Sequence, residues 1–136
     1  MSLQATVPQF QTAFDHCVIA VSDFELANEF YRDVIGVTVL SLERGFAYKL
    51  GAIQFNVHGP GMDPKPLAAT PVAPGGSHLC FRWNGTVEEA IAHLERKGVL
   101  IEDGPVSRTG AEGEGTSIYF RDPDGSLLEF ITYQEN

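Results

Sequence analysis

The sequence predicts an α+β domain made of two βαβββ repeats, whose strands form a curled mixed sheet around a cleft with the helices outside. The first observation is an internal repeat: residues 15–37 resemble residues 77–99, and His16 and His78 lie 62 positions apart (78 − 16), as do Gly36 and Gly98 (98 − 36). The second is that each repeat passes from a short apolar run through a polar turn into a segment with helical periodicity. The third is a change to alternating periodicity after each helix.

Both predicted helices start with the pattern of a capping box. Ser22 precedes Glu25 by three residues, and Thr86 precedes Glu89 by three, so that each hydroxyl can accept a backbone N–H of the first turn. Each helix is then expected to end at the glycine that closes its repeat, because glycine readily adopts the left-handed conformation found there. The apolar stripes expected to be buried are Ala27, Phe30, Tyr31 and Val34 in the first helix and Val87, Ala90, Ile91 and Leu94 in the second.

Strand pairs are predicted after each helix. Residues 45–58 form two strands that turn near Gly51, and residues 116–133 form two strands joined by the Asp-Pro-Asp-Gly sequence at 122–125. The chain is therefore interpreted as one domain over residues 1–136, with repeat halves at about 12–58 and 77–134 and a Pro- and Gly-rich linker at 59–76. The first ten residues or so have no periodicity and are expected to be loosely attached.

Composition limits the class of protein and of partner. The 136 residues include 18 acidic and nine basic side chains, which gives a net charge of −9. A field of that sign repels nucleic acid and anionic membrane surfaces, so a small molecule is the expected partner. Two cysteines are too few for a disulfide scaffold, and neither a signal peptide nor a membrane span is recognisable. These features predict a soluble cytoplasmic protein.

Strand alternation places four polar side chains on the face of the sheet opposite the helices. They are His16 and His78, from the opening strands of the two halves, and Gln54 and Glu129, which occupy matching positions in the closing strands. Two imidazoles and one carboxylate leave open positions on a cation, which suits non-haem Fe(II), Mn(II) or Zn(II). Whether Gln54 is a fourth ligand is left open by the sequence.

Three stretches resemble the vicinal oxygen chelate superfamily of glyoxalases, bleomycin-resistance proteins and extradiol dioxygenases. They are DHCVIAVSDFELANEFYRDVIGV, GSHLCF and RDPDGSLLEF, and the chain is most similar to single-module glyoxalase-domain-containing proteins, with which it shares stretches such as SIYFRDPDG. The resemblance implies paired βαβββ modules and a divalent metal (Fe, Mn, Zn, Ni or Co) held by His16, His78 and Glu129. In members with a fourth protein ligand, that ligand comes from the position of Gln54. Members commonly form homodimers, and the sequence does not indicate whether one chain or two would build the site.

The resemblance implies metal-dependent chemistry on a small oxygen-rich molecule, and three functions are considered. The first is one-domain extradiol dioxygenase chemistry, because two histidines and a carboxylate suit Fe(II), with Tyr119 or His58 handling protons. The second is a glyoxalase-like lyase or epimerase, in which Glu129 shuttles a proton. The third is a non-catalytic module that binds a drug-like molecule, as resistance proteins of this superfamily do.

Candidate substrate-binding residues are two arginines. Arg82 shares the face of His78, and it either holds an anionic substrate or pairs with a neighbouring carboxylate. Arg108 lies in the glycine-rich segment 104–115, which is interpreted either as a mobile lid over the cleft or as an ordinary connection. Cys80 also has the parity of His78 and is expected to be a small buried thiol.

Overall fold

A computed structural model describes residues 11–134, so the loose attachment expected for the first ten residues lies outside the described part of the chain. The first half contains β1 (His16–Ala20), α1 (Phe24–Phe30), which continues into a π-helical turn (Tyr31–Ile35), β2 (Thr38–Ser41), β3 (Phe46–Leu50) and β4 (Ile53–His58). The second half contains β5 (His78–Arg82), α2 (Val87–Arg96), β6 (Asp103–Gly110), β7 (Gly113–Arg121) and β8 (Leu127–Thr132). The predicted paired βαβββ architecture is confirmed.

The strands form two four-stranded mixed sheets, one from each half, rather than a single hydrogen-bonded sheet. The first sheet has the order β1-β4-β3-β2, and the second has the order β5-β8-β7-β6. In both sheets the opening strand pairs in parallel with the closing strand, while the other pairs are antiparallel. Within residues 11–134, no helix combines the length and the apolar character needed to cross a bilayer.

The two helices are capped differently. Thr86 forms the predicted capping box with Glu89, but the box predicted at Ser22 is wrong, because Asp23 is the N-cap of α1 and accepts the Leu26 N–H at 3.1 Å. The backbone N–H of Ser22 donates to Asp124 in the other half at 3.0 Å, and the Ser22 hydroxyl donates to the same carboxylate. The Ser22 hydroxyl therefore bonds to the other half of the chain and does not cap α1.

The glycine-rich segment 104–115 forms regular structure, which corrects both expectations of a lid and of a simple connection. It supplies most of β6 and the start of β7, with Arg108 paired to Gly115 and a two-residue turn closed by Gly113 at φ 109°. Two of its glycines are needed for close packing. A Cβ at Gly110 would collide with the hydroxyl of Tyr133, and a Cβ at Gly115 would lie 2.8 Å from the Thr132 carbonyl and 3.0 Å from the Tyr133 ring. The composition reflects a strand that lies under an aromatic ring, and not a flexible loop.

Buried contacts join the two halves into one core. Phe55 and Phe81 pack edge to face with ring centroids 5.8 Å apart. The Tyr31 hydroxyl donates to Asp122 at 2.8 Å, and this carboxylate also accepts the backbone N–H groups of Asp124 and Ser126. Because Asp122 is only 7% exposed, these three hydrogen bonds satisfy a carboxylate that would be costly to bury alone. They fix the closing hairpin of the second half against the helix of the first.

Candidate metal and substrate site

The second sheet brings together two of the predicted metal ligands. His78 Nε2 lies 3.4 Å from Glu129 Oε1. The Glu129 side chain is 9% exposed and that of His78 is 57% exposed, so a buried carboxylate sits beside an imidazole that is open to solvent. Both residues are held by regular strands, β8 and β5, which pair in parallel. These two side chains form a candidate half-site for a metal, called here the His78–Glu129 pair.

Cys80 lies directly opposite Glu129 in the strand register. The residue is exposed on the edge strand β5, which corrects the expectation of a buried residue. Desolvation of the thiol, the charge of Glu129 and a hydrogen bond to that carboxylate raise the pKa of Cys80 to about 12. The neighbouring Glu129 carboxylate therefore favours the protonated form of the thiol.

The first sheet holds the other two predicted ligands. His16 and Gln54 are directly opposite each other in the parallel pairing of β1 with β4. His16 Nδ1 lies 2.8 Å from the Asp15 carboxylate, and Gln54 Nε2 donates to Asn56 at 2.8 Å. A carboxylate on one ring nitrogen orients the other nitrogen of a histidine for coordination. Asp15 was not identified from the sequence, where an acidic residue before a strand carries no distinguishing signal.

One chain does not assemble these two pairs into one site. His16 and Gln54 lie in the first sheet, whereas His78 and Glu129 lie in the second. Among residues 11–134, no three histidine, cysteine, aspartate or glutamate side chains are grouped so that they could hold a metal ion. The chain carries the predicted ligand set as two separate halves.

The His78–Glu129 pair nevertheless fits a divalent metal. Two ligands that each lie about 2.1 Å from a tetrahedral zinc ion are roughly 3.4 Å apart, which matches the separation of His78 Nε2 and Glu129 Oε1. Imidazole and carboxylate are also donors that Fe(II), Mn(II) and Zn(II) accept. The spacing and chemistry of this half-site are thus suitable for two neighbouring ligands of one ion.

Polar side chains that could meet a substrate border the His78–Glu129 pair. Tyr119 is opposite Glu129 in the β7–β8 register, and its ring centroid lies 6.3 Å from that of His78. Arg108 Nε donates to the Tyr119 hydroxyl at 2.9 Å, and its guanidinium lies 5.5 Å from the centre of the ring. This places a cation and a phenol next to the half-site, and the sequence could not show that Arg108 reaches Tyr119.

Ser117 is a second feature of this face that the sequence did not identify. It lies two residues before Tyr119 on β7 and shares its face by strand alternation. Its hydroxyl is fully buried and has no hydrogen-bond partner within the described part of the chain. Such a hydroxyl can both donate and accept a hydrogen bond.

Two other candidates lie away from this group. Arg82 is held by Glu112 at 2.5 Å and by Asn84 at 3.0 Å, so the pairing with a carboxylate is the alternative that the structure realises. His58 ends β4, about 13 Å along the strand from Gln54 at the usual rise per residue, and it lines a pocket with the linker. Neither residue contacts the His78–Glu129 pair.

Comparison with known proteins gives the family. The sequence model of the glyoxalase/bleomycin resistance protein/dioxygenase superfamily matches residues 13–130. The virulence protein STM3117 of Salmonella typhimurium is 38% identical over 88% of this chain and 83% of its own length. The metallothiol transferase FosB of Lysinibacillus sphaericus is 30% identical over 88% of this chain and 82% of its own length.

A solved structure agrees with both sequence comparisons. The integron cassette protein VCH_CASS1 from V. cholerae superposes with a TM-score of 0.84 at 39% identity, and the match covers 94% of this chain and all of that one. The family match extends from the residues before β1 into β8, so it includes both halves of the predicted ligand set. The chain belongs to the glyoxalase/bleomycin resistance protein/dioxygenase superfamily.

Proposed function

We propose that this protein is a divalent-metal-dependent enzyme that acts on a small, anionic, oxygen-rich molecule, and that two copies of the chain complete each metal site. The observation that carries the proposal is the division of the ligand set into the His78–Glu129 pair on one sheet and the His16–Gln54 pair on the other. In a dimer with two-fold symmetry, a contact between one surface of a subunit and a different surface of its partner occurs twice. Facing the His16–Gln54 pair of each subunit with the His78–Glu129 pair of the other therefore creates two identical four-donor sites.

The donor set leaves positions for a substrate. Two imidazoles, one amide oxygen and a carboxylate that binds through one oxygen occupy four positions, which leaves two on a six-coordinate ion such as Fe(II). When it is bound, the metal supplies Lewis-acid polarisation of a substrate oxygen. Within the protein, Asp15 orients His16 through its Nδ1 contact, and the burial of Glu129 keeps its carboxylate in one place. The relative FosB, named a metallothiol transferase, supports metal dependence.

The residues beside the half-site support an anionic substrate. The guanidinium of Arg108 is a planar cation with several N–H donors, and it is suited to a carboxylate or a similar group. The Tyr119 hydroxyl, which accepts from Arg108, still has its own proton to donate to a substrate oxygen. We assign binding of the anion to Arg108 and orientation of an adjacent oxygen, with its proton, to Tyr119.

Among the reactions, ring cleavage of a catechol by O2 is the first to test, because two histidines and one carboxylate suit Fe(II) with open positions. A lyase or epimerase reaction is the alternative, with Glu129 moving a proton. We expect protein that has been stripped with a chelator and reloaded with Fe(II) to consume O2 and to form a yellow product from catechol, whereas the Zn(II)-loaded protein does not.

Reloading with Mn(II), Zn(II), Ni(II) and Co(II) in parallel provides the control for this assay. Yellow product with Fe(II) alone supports the dioxygenase assignment. Stoichiometric metal without catechol turnover excludes ring cleavage of catechol and favours the lyase alternative. Failure to bind any of the five metals contradicts the proposed function and leaves a non-catalytic binding module.

A further inference from the structure

A second pocket lies away from the proposed metal site, where residues 59–74 of the linker cross the ends of β1 and β4. Its volume is about 470 Å³, which is in the range of sites for small molecules. Ala20 and Val21, only 8% and 2% exposed, form its floor at the end of β1. We call it the linker pocket.

The walls of the linker pocket are formed in advance of any ligand. Three of its residues are prolines, at positions 60, 64 and 74, and each ring fixes one backbone angle. Met62 is held in place because its sulfur accepts the Gly59 N–H at 3.3 Å and lies against Gly45, where an added Cβ would be 2.9 Å from that sulfur. A preformed site loses little freedom when a ligand binds, and this favours affinity.

The chemistry of the lining selects the class of ligand. Leu67 and Val72 remain 47% and 44% exposed in the free protein, so a ligand that covers them removes apolar surface from water. Met62 also lines the pocket, and the sulfur of a methionine generally makes favourable contacts with aromatic rings. His58 lines the same pocket, and its imidazole makes no hydrogen bond to any other residue between 11 and 134. The residues that line the pocket include no lysine or arginine that could pair with an anion.

We propose that the linker pocket binds a small, uncharged aromatic molecule, with its ring against Leu67 and Val72 and a hydroxyl hydrogen-bonded to His58. An imidazole carries one donor and one acceptor nitrogen, and a hydroxyl can serve either. The pocket volume has room for a molecule of one or two fused rings. This binding is separate from the proposed metal chemistry, because His58 lies about 13 Å along β4 from Gln54.

The test uses 2-naphthol and naphthalene as paired probes, titrated against chelator-treated protein and followed by ligand-observed NMR. Removal of metal prevents the naphthol oxygen from binding at the other site. We expect saturable binding of one naphthol per chain, and His58→Leu is expected to raise the Kd of naphthol about fivefold through loss of one hydrogen bond. The affinity for naphthalene, which has no hydroxyl, is not expected to fall in this variant, because leucine offers the ring an apolar contact.

A charge at the rim tests the position of the aromatic ring. Leu67→Asp is expected to raise the Kd of both probes at least about tenfold, because it places a carboxylate in the apolar contact. Leu26→Asp is the matched control, since Leu26 is 57% exposed on α1 and does not line the pocket. The proposal is overturned if naphthol does not bind saturably, if the two aspartate variants behave alike, or if His58→Leu changes the affinity for both probes equally.

Discussion

Replacing His78 with alanine is expected to lower the affinity for a divalent metal by more than about 100-fold and to abolish activity with it. The change removes one of the two donors of the His78–Glu129 pair. Loss of a residue that merely orients a ligand already costs roughly 10- to 100-fold, so loss of a ligand itself is expected to cost more. Competition with a chromogenic zinc chelator measures the affinity directly, without an assay for an unidentified substrate.

The control for this variant is His58→Ala. His58 lies at the far end of β4 in the linker pocket and makes no contact with the proposed ligands, so this variant is expected to bind metal like the unmodified protein. The side chain of His78 is 57% exposed, so its removal is expected to shift Tm by only a few degrees. Undiminished metal affinity in His78→Ala, or an equal loss in His58→Ala, would argue against His78 as a ligand.

Two inactive variants are expected to restore one metal site when they form a heterodimer. A His16→Ala chain keeps an intact His78–Glu129 pair, and a Glu129→Ala chain keeps an intact His16–Gln54 pair. If each site uses one pair from each subunit, the heterodimer contains one intact site and one site that lacks both donors. Co-expression with two different affinity tags isolates this heterodimer, and its metal content is expected to be about half that of the unmodified dimer.

A second heterodimer provides the matched control. His78→Ala and Glu129→Ala both damage the same half of the ligand set, so their heterodimer has a defective donor in each of its sites and is expected to remain without metal. Recovery in the first pairing and none in the second supports sites shared between subunits. An empty first heterodimer, or recovery in both, contradicts the shared arrangement.

Much of the fold was predictable because its signals are local. The repeat offset, the apolar stripes of the helices and the Asp-Pro-Asp-Gly turn depend on neighbouring residues, and the structure has helices and hairpins at these places. The predicted match of Gln54 with Glu129 is wrong by two residues: Gln54 lies opposite His16, whereas Leu127 lies opposite His78 and Glu129 lies opposite Cys80. Both residues are nevertheless in the strand that pairs with the opening strand of their own half, and strand alternation keeps Glu129 on the face of Leu127. The strand at Thr38–Ser41 was not located, because four residues are too few to show a clear alternation.

The features that the sequence could not reveal depend on contacts between distant residues. The Ser22 hydroxyl looks like a helix cap but binds Asp124, which is 102 residues away in the chain. The glycines of segment 104–115 look like a mobile loop, yet two of them make room for Tyr133. The separation of the two ligand pairs was also not predictable from the sequence. The internal repeat predicts that the two halves have corresponding strands, but it does not predict which faces of the two sheets meet within one chain.

Native mass spectrometry of chelator-stripped protein titrated with Zn2+ most directly tests whether two copies of the chain build the metal site. The shared arrangement predicts that zinc is bound by the dimer, with about two ions per dimer, and that the monomer present at low protein concentration carries none. A monomer that binds one zinc ion as tightly as the dimer would contradict the arrangement, as would a dimer that binds no zinc.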